Sequence, residues 1–147
     1  MTTQPPSPYE VFHRRTPLQL LTGAGWRRLP ALRVDAAGVL LGGVPVRHTA
    51  HTAFVPWQDL TGVVLWRLPT AGYSPVDHIG VSRHPGAPSL PGPNAHLTPE
   101  KSQALAPHVA HEVVVTSHPI VLWRLDPERL LAAVNAFAPG IEVRTCP

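Results

Sequence analysis

The sequence predicts a mainly β domain of the α+β class, in which about seven short antiparallel strands form a barrel or sandwich capped by one C-terminal amphipathic helix. Its 147 residues are enough for one domain with its own core. Hydrophobic residues make up 44% of the chain and charged residues 14%, a balance typical of an ordered globular domain. The 19 prolines divide the chain into short elements, which argues against a bundle of long helices.

The N-terminal part of the chain predicts an arm followed by a hairpin. Residues 1–8 contain three prolines and are expected to form a flexible arm, and residues 9–147 a single domain. The apolar residues that follow, up to position 21, have a mixed periodicity that fits either a strand or a helix. Two apolar runs, at 31–34 and 39–41, flank an Asp-Ala-Ala-Gly connection, which predicts a β-hairpin.

Four later segments have the composition of strands. In the clearest of them, Val64, Trp66 and Leu68 share one face, and the alternate residues share the other. The segment at 120–125 contains the same five residues, Val-Leu-Trp-Arg-Leu, as the segment at 62–68, with Trp123 in the position of Trp66. Both tryptophans are predicted to lie in the core. The four predicted strands are 62–68, 78–83, 111–116 and 120–125.

The second half of the chain also contains a Pro-rich loop and the best-defined helix. The loop covers residues 84–107 and is interrupted by one short helical turn that begins after Thr98. The helix is predicted at residues 127–138. Asp126 provides its N-cap, a proline fits its first position, and apolar residues recur at i, i+4 and i+7 from Leu130.

Four short motifs carry a family resemblance. They are Phe-Val-Pro-Trp-Gln-Asp-Leu at 54–60, Ile-Gly-Val at 79–81, Leu-Asp-Pro-Glu-Arg-Leu at 125–130 and Phe-Ala-Pro-Gly at 137–140. Together with the order of strands and the final helix, they make the chain similar to small actinobacterial pleckstrin-homology-like (PH-like) domain proteins of uncharacterised function. The resemblance covers about residues 29–143. It implies a PH-like fold and no particular activity.

Charge and composition indicate which classes of partner, and which cellular compartment, the sequence favours. The net charge of +3 is too small for a nucleic-acid surface, so no nucleic-acid partner is expected. The single cysteine excludes an intramolecular disulfide and suits a reducing compartment. No apolar run approaches the ~18 residues of a membrane span. These features predict a cytoplasmic protein, with a peripheral position at the membrane as the alternative.

Nine histidines raise the question of metal chemistry. The pairs His48/His51 and His108/His111 have an i, i+3 spacing, but they lie in loop or strand-like sequence, where odd spacing points side chains to opposite faces. We therefore interpret the histidines as surface residues. The serines lack a Gly-x-Ser-x-Gly motif, and no phosphate-binding loop is present. The sequence predicts no catalytic residue, metal site, cofactor or small-molecule substrate.

The candidate contact residues lie in the basic first third of the chain. They are Arg14, Arg15, Trp26, Arg27 and Arg28. The leading hypothesis is a non-catalytic binding or adaptor module that recognises a protein partner or associates with itself, using a free sheet edge and the Pro-rich loop. The alternative is a peripheral membrane or phospholipid-binding module that uses this basic region. A histidine-based metal enzyme is the third hypothesis.

Overall fold

A computed structural model describes residues 4–14 and 28–147 of the chain. In these residues, eight strands form two four-stranded sheets, and four α-helices connect or cover the sheets. The strands are β1 (Tyr9–Phe12), β2 (Pro30–Val34), β3 (Gly38–Leu41), β4 (Ala53–Pro56), β5 (Leu60–Thr70), β6 (Tyr73–Arg83), β7 (His118–Pro119) and β8 (Glu142–Cys146). The helices are α1 (His48–His51), α2 (Pro99–Leu105), α3 (His111–Val114) and α4 (Pro127–Phe137).

The first sheet is an antiparallel meander in the order β1-β2-β3-β4. The predicted hairpin is confirmed as β2 and β3. Asp35 stabilises its turn, because the Oδ1 atom accepts hydrogen bonds from the backbone N–H of Ala37 at 2.9 Å and of Gly38 at 3.3 Å. A side chain at Gly38 would not fit, since an added Cβ would lie 2.1 Å from the carbonyl oxygen of Val55 on β4.

The second sheet has the order β7-β6-β5-β8. The strands predicted at 62–68 and 78–83 are confirmed as parts of β5 and β6, which form one long antiparallel hairpin. β8 lies parallel to β5, with Val63 opposite Val143. The expectation of purely antiparallel strands is therefore wrong for this edge of the sheet. The segment after α4 returns alongside β5 instead of forming another hairpin.

The predicted C-terminal helix is confirmed as α4. Asp126 caps it through Oδ1, which accepts hydrogen bonds from the N–H groups of Glu128 at 3.1 Å and Arg129 at 3.3 Å. Leu130 and Val134, one turn apart, are fully buried in the core between this helix and the sheets.

Both tryptophans that were expected in the core are buried. Trp123 packs in the same core cluster as α4, whereas Trp66 lies in a second, smaller cluster between β5 and α3.

Residues 120–125 do not form the predicted strand. Leu122 has a φ of 64°, in the left-handed region, which interrupts an extended conformation. This geometry turns its carbonyl oxygen toward β1, where it accepts a hydrogen bond from the backbone N–H of Arg14 at 2.7 Å. The segment therefore crosses from the second sheet to the first as an irregular connection.

Residues 111–116 also differ from the prediction, because they begin with the short helix α3. α3 sits directly on β6, where an added Cβ on Gly80 would lie 2.7 Å from the Val113 carbonyl oxygen. The hydroxyl groups of Thr116 and Ser117 donate hydrogen bonds to that carbonyl at 3.0 and 2.6 Å. These contacts outweigh the strand preference of a valine run.

The α+β class is thus confirmed, but the fold has more strands and more helices than expected. The described part of the chain contains eight strands rather than about seven, and four α-helices and two short 3-10 helices rather than one long helix and a turn. The two sheets remain open and do not close into a barrel within residues 4–14 and 28–147. The helical turn predicted after Thr98 is confirmed as α2, where Thr98 Oγ1 accepts a hydrogen bond from the Lys101 N–H.

Candidate functional site: an arginine groove and an adjoining pocket

A groove of about 1060 Å³ runs along β1 and is lined by arginines from distant parts of the chain. Arg14 follows β1, and Arg28 precedes β2. Arg124 precedes α4, and Arg129 lies in the first turn of that helix. We call this concavity the arginine groove. The hydrogen bond from the Arg14 N–H to Leu122 holds its two walls together.

The carboxylates of the groove are engaged elsewhere. Glu10 contacts Arg33 at 3.5 Å, and Asp126 accepts the capping hydrogen bonds of α4. None of the four groove arginines forms a salt bridge with any residue that the structure describes. The groove therefore has four arginines against two carboxylates, and this net positive charge favours an anionic ligand.

Two of the arginines are held against aromatic rings. The guanidinium carbon of Arg28 lies 4.5 Å from the centre of the Phe12 ring, and that of Arg129 lies 5.2 Å from the centre of the Tyr9 ring. The Tyr9 hydroxyl oxygen also accepts a hydrogen bond from the Asp126 N–H at 3.0 Å, which joins β1 to the start of α4. Contact with a ring face leaves the N–H edge of a guanidinium free to bind a carboxylate or phosphate.

A second concavity of about 870 Å³ adjoins the groove and shares Arg14 and Arg124 with it. We call it the tryptophan pocket. Residues of β5, β6, the 120–127 segment and the end of β8 line it. The Trp66 indole stacks on the His78 imidazole, with ring centres 4.3 Å apart and planes inclined by 19°. Trp123 lines the pocket from the irregular connection.

The other charged groups of the pocket are neutralised. Arg67 forms a salt bridge with Asp77 at 2.8 Å. Burial lowers the pKa of His78, and its hydrogen bond with the Val76 carbonyl offsets this only in part, so the ring is neutral at pH 7. Among the side chains that line the tryptophan pocket, those of Arg14 and Arg124 carry a charge without a salt bridge to a described residue.

The interpretation of the histidines as surface residues is wrong for His13, His78 and His118, which are buried. The Nε2 atom of His13 bonds to the Gly43 carbonyl at 2.9 Å, and Nδ1 of His118 bonds to the Gly42 carbonyl at 3.2 Å. Burial lowers the pKa of His13 and lowers that of His118 to about 4. These rings are neutral structural donors that fix the residues after β3.

The two histidine pairs do not converge on a common point. His48 bonds to the Pro30 carbonyl at 2.8 Å, and His108 bonds to the Arg67 carbonyl at 3.1 Å. Nδ1 of His111 lies 2.7 Å from the Ser102 hydroxyl on α2. In the described ranges, no group of three or more histidine, cysteine or acidic residues has the geometry to hold a metal ion.

The structure brings together two of the residues predicted from the sequence. Arg14 and Arg28 line the same groove, and their role as partner contacts stays a prediction. The other three, Arg15, Trp26 and Arg27, lie outside the described residues.

Sequence reasoning missed Arg124 and Arg129, which complete the groove. Arg129 sits just after a well-marked N-cap, and this signal places it at the start of a helix. No local signal could have placed that helix beside β1.

Comparisons with protein-family models, with curated proteins and with solved structures found no match to this chain. The helices of the described residues are all too short or too polar to cross a membrane. We therefore infer the function from the geometry and charge of the groove and the pocket.

Proposed function

We propose that the protein is a non-catalytic binding module that recognises an acidic segment of a partner protein in the arginine groove. One observation carries the proposal: four arginines from three parts of the chain line a single concavity, and none forms a salt bridge within the described residues. A guanidinium group presents a planar fork of donors that matches a carboxylate. Arginines that are already positioned lose little entropy on binding.

We also propose that the module is PH-like, as the sequence resemblance implies. The support is the order of the elements: an antiparallel four-stranded sheet, a second sheet, and a C-terminal helix whose apolar face covers the core. The parallel strand β8 is an addition to the expected pattern. A binding role fits a fold in which ligand sites are built on an unchanging scaffold.

Arginines that are held in fixed positions favour a protein segment of defined sequence over a fluid membrane surface. All four arginines are exposed, so a bilayer and a protein segment can both reach them. Arg28 and Arg129 are further held against the rings of Phe12 and Tyr9. Peripheral binding to phospholipid, which would use the same cations, is the alternative that the experiment must separate.

The test is selection of peptides from a random 12-residue display library, followed by measurement of Kd by fluorescence anisotropy. We expect enrichment of peptides rich in Asp and Glu. Arg129→Gln should weaken their binding about fivefold, in line with the loss of one partly exposed charge pair. Arg47→Gln is the matched control, since Arg47 is exposed and lies outside the groove.

Two results would contradict the proposal. One is a set of selected peptides without acidic bias, and the other is an equal effect of Arg129→Gln and Arg47→Gln. Vesicles of phosphatidylglycerol and of phosphatidylcholine form a parallel arm. Salt-sensitive binding to phosphatidylglycerol alone, without selection of acidic peptides, would replace the proposal by the membrane alternative.

A further inference from the structure

We infer that the tryptophan pocket binds a small amphiphile: an apolar chain or ring that ends in one anionic group. The inference goes beyond the proposed function, because it concerns a small molecule and a concavity next to the arginine groove. It depends on three features of the pocket, which are its size, its apolar lining and its two free cations.

The size of the pocket suits a small molecule. Its volume of about 870 Å³ lies within the range of roughly 300–1,000 Å³ found for sites that bind small ligands. The Trp66 indole is only 2% exposed, and its Nε1–H donates a hydrogen bond to the Ser117 hydroxyl oxygen at 2.8 Å. The indole donor is therefore already satisfied inside the protein, so the buried ring offers a ligand no hydrogen bond.

The lining is apolar on several sides. Leu65 contributes from β5, Ile120 and Leu125 from the irregular connection, and Cys146 from β8. Leu122 also lines the pocket, and it is 44% exposed in a left-handed conformation that most side chains avoid. A strained, exposed leucine at the wall of a cavity favours an apolar ligand that would cover it.

The charge of the pocket defines the other end of the ligand. Arg67 is paired with Asp77, and the neutral His78 ring is stacked on an indole, so neither attracts an anion. Arg14 and Arg124 remain, and both lie where the pocket meets the groove. Two guanidinium groups around one opening match a single carboxylate, while the apolar lining matches the rest of the molecule.

Because both concavities use Arg14 and Arg124, the amphiphile and the acidic segment would compete for the same cations. The coupling is reciprocal, so each ligand lowers the apparent affinity of the other. The pocket would then regulate the groove.

The test uses decanoate as the probe, titrated by isothermal calorimetry and followed by tryptophan fluorescence. We expect saturable binding at one site, and at least tenfold weaker binding of decyltrimethylammonium, which has an alkyl chain of similar length and the opposite charge. Arg124→Gln should weaken the binding of decanoate at least fivefold, and Arg47→Gln should leave that binding unchanged. Thr145→Phe, at an exposed position that lines the pocket, should block decanoate by filling the space. Thermal unfolding confirms that each variant is folded.

The outcomes separate this inference from the proposed function. Arg129 lines the groove and not the pocket, so Arg129→Gln should weaken acidic peptides and not decanoate. Absence of saturable decanoate binding, or equal binding of both detergents, overturns the inference whatever the peptide selection shows. Binding to phosphatidylglycerol vesicles without binding of free decanoate also overturns it.

Discussion

His118 makes the stability of the fold depend on pH. Its pKa is lowered from 6.5 to about 4, chiefly by burial and in smaller part by the nearby His51, His78 and His13, while the hydrogen bond with the Gly42 carbonyl opposes the shift. Nδ1 is engaged with the Gly42 carbonyl, whereas Nε2 is buried without a partner within the described residues. Protonation would therefore place a charge and an unsatisfied N–H inside the protein.

The magnitude follows from the two pKa values. The unfolded chain takes up a proton near pH 6.5, but the folded protein resists protonation until about pH 4. The contribution of neutral His118 to the free energy of unfolding is therefore fully present above pH 6.5 and is lost as the pH falls from 6.5 to about 4. The loss is about 2 kcal/mol at pH 5 and about 3 kcal/mol at pH 4, because one pKa unit corresponds to ~1.4 kcal/mol. The pKa values of His13 and His78 are also lowered by burial, so both add to the loss in the same direction.

The assay is urea unfolding of the wild type and of His118→Asn at pH 7.5, 5 and 4. An asparagine amide can still donate to the Gly42 carbonyl but does not titrate, so the variant should lose about 3 kcal/mol less than the wild type between pH 7.5 and 4. His84→Asn replaces an exposed histidine and is the control, and the pH dependence of its free energy of unfolding should follow that of the wild type. Parallel pH dependence of wild type and His118→Asn would refute the argument. So would an NMR titration that places the pKa of His118 near 6.5.

Three further predictions concern the core, the helix cap and the irregular connection, each measured by chemical or thermal unfolding. Leu130→Ala should cost about 2–5 kcal/mol because Leu130 is fully buried, whereas Leu131→Ala, at a position 45% exposed on the same helix, should cost less than about 1 kcal/mol. Asp126→Ala should lower the free energy of unfolding by about 1 kcal/mol because the α4 cap is lost. Asp126→Asn keeps a side-chain acceptor at this position and should retain most of that stability. Leu122→Val should cost about 1 kcal/mol because a β-branched residue fits the left-handed region poorly, while Leu122→Asn should be neutral. Equal effects within any of these pairs would contradict the structural assignment.

The sequence predicted the elements whose signals are local. Asp126 and the apolar spacing that begins at Leu130 are sufficient to define α4, and alternation defines β5. The prediction was wrong at 120–125, where the same strand-like pattern contains Leu122 in a left-handed conformation. It was also wrong at 111–116, where contact of Val113 with Gly80 stabilises a helix. In both segments a tertiary contact overrode a local preference.

Two of the four arginines of the groove could be predicted, because they belong to a local pattern. Arg14 and Arg28 belong to a basic region that is visible in the sequence. Arg124 and Arg129 lie far along the chain, and they reach the groove because the C-terminal helix returns to β1 through the hydrogen bond between Asp126 and Tyr9. Sequence spacing carries no information about that return.

The parallel pairing of β8 with β5 has a consequence for the synthesis of the protein. β6 begins at Tyr73, directly after the turn, whereas β8 begins at Glu142. Until residues 142–146 have left the ribosome, one edge of β5 remains unpaired, next to the buried side chains of Val63 and Val64. An unpaired apolar strand can join strands of other nascent chains. A chain that is terminated just after α4 would therefore carry every arginine of the groove and still be prone to aggregate.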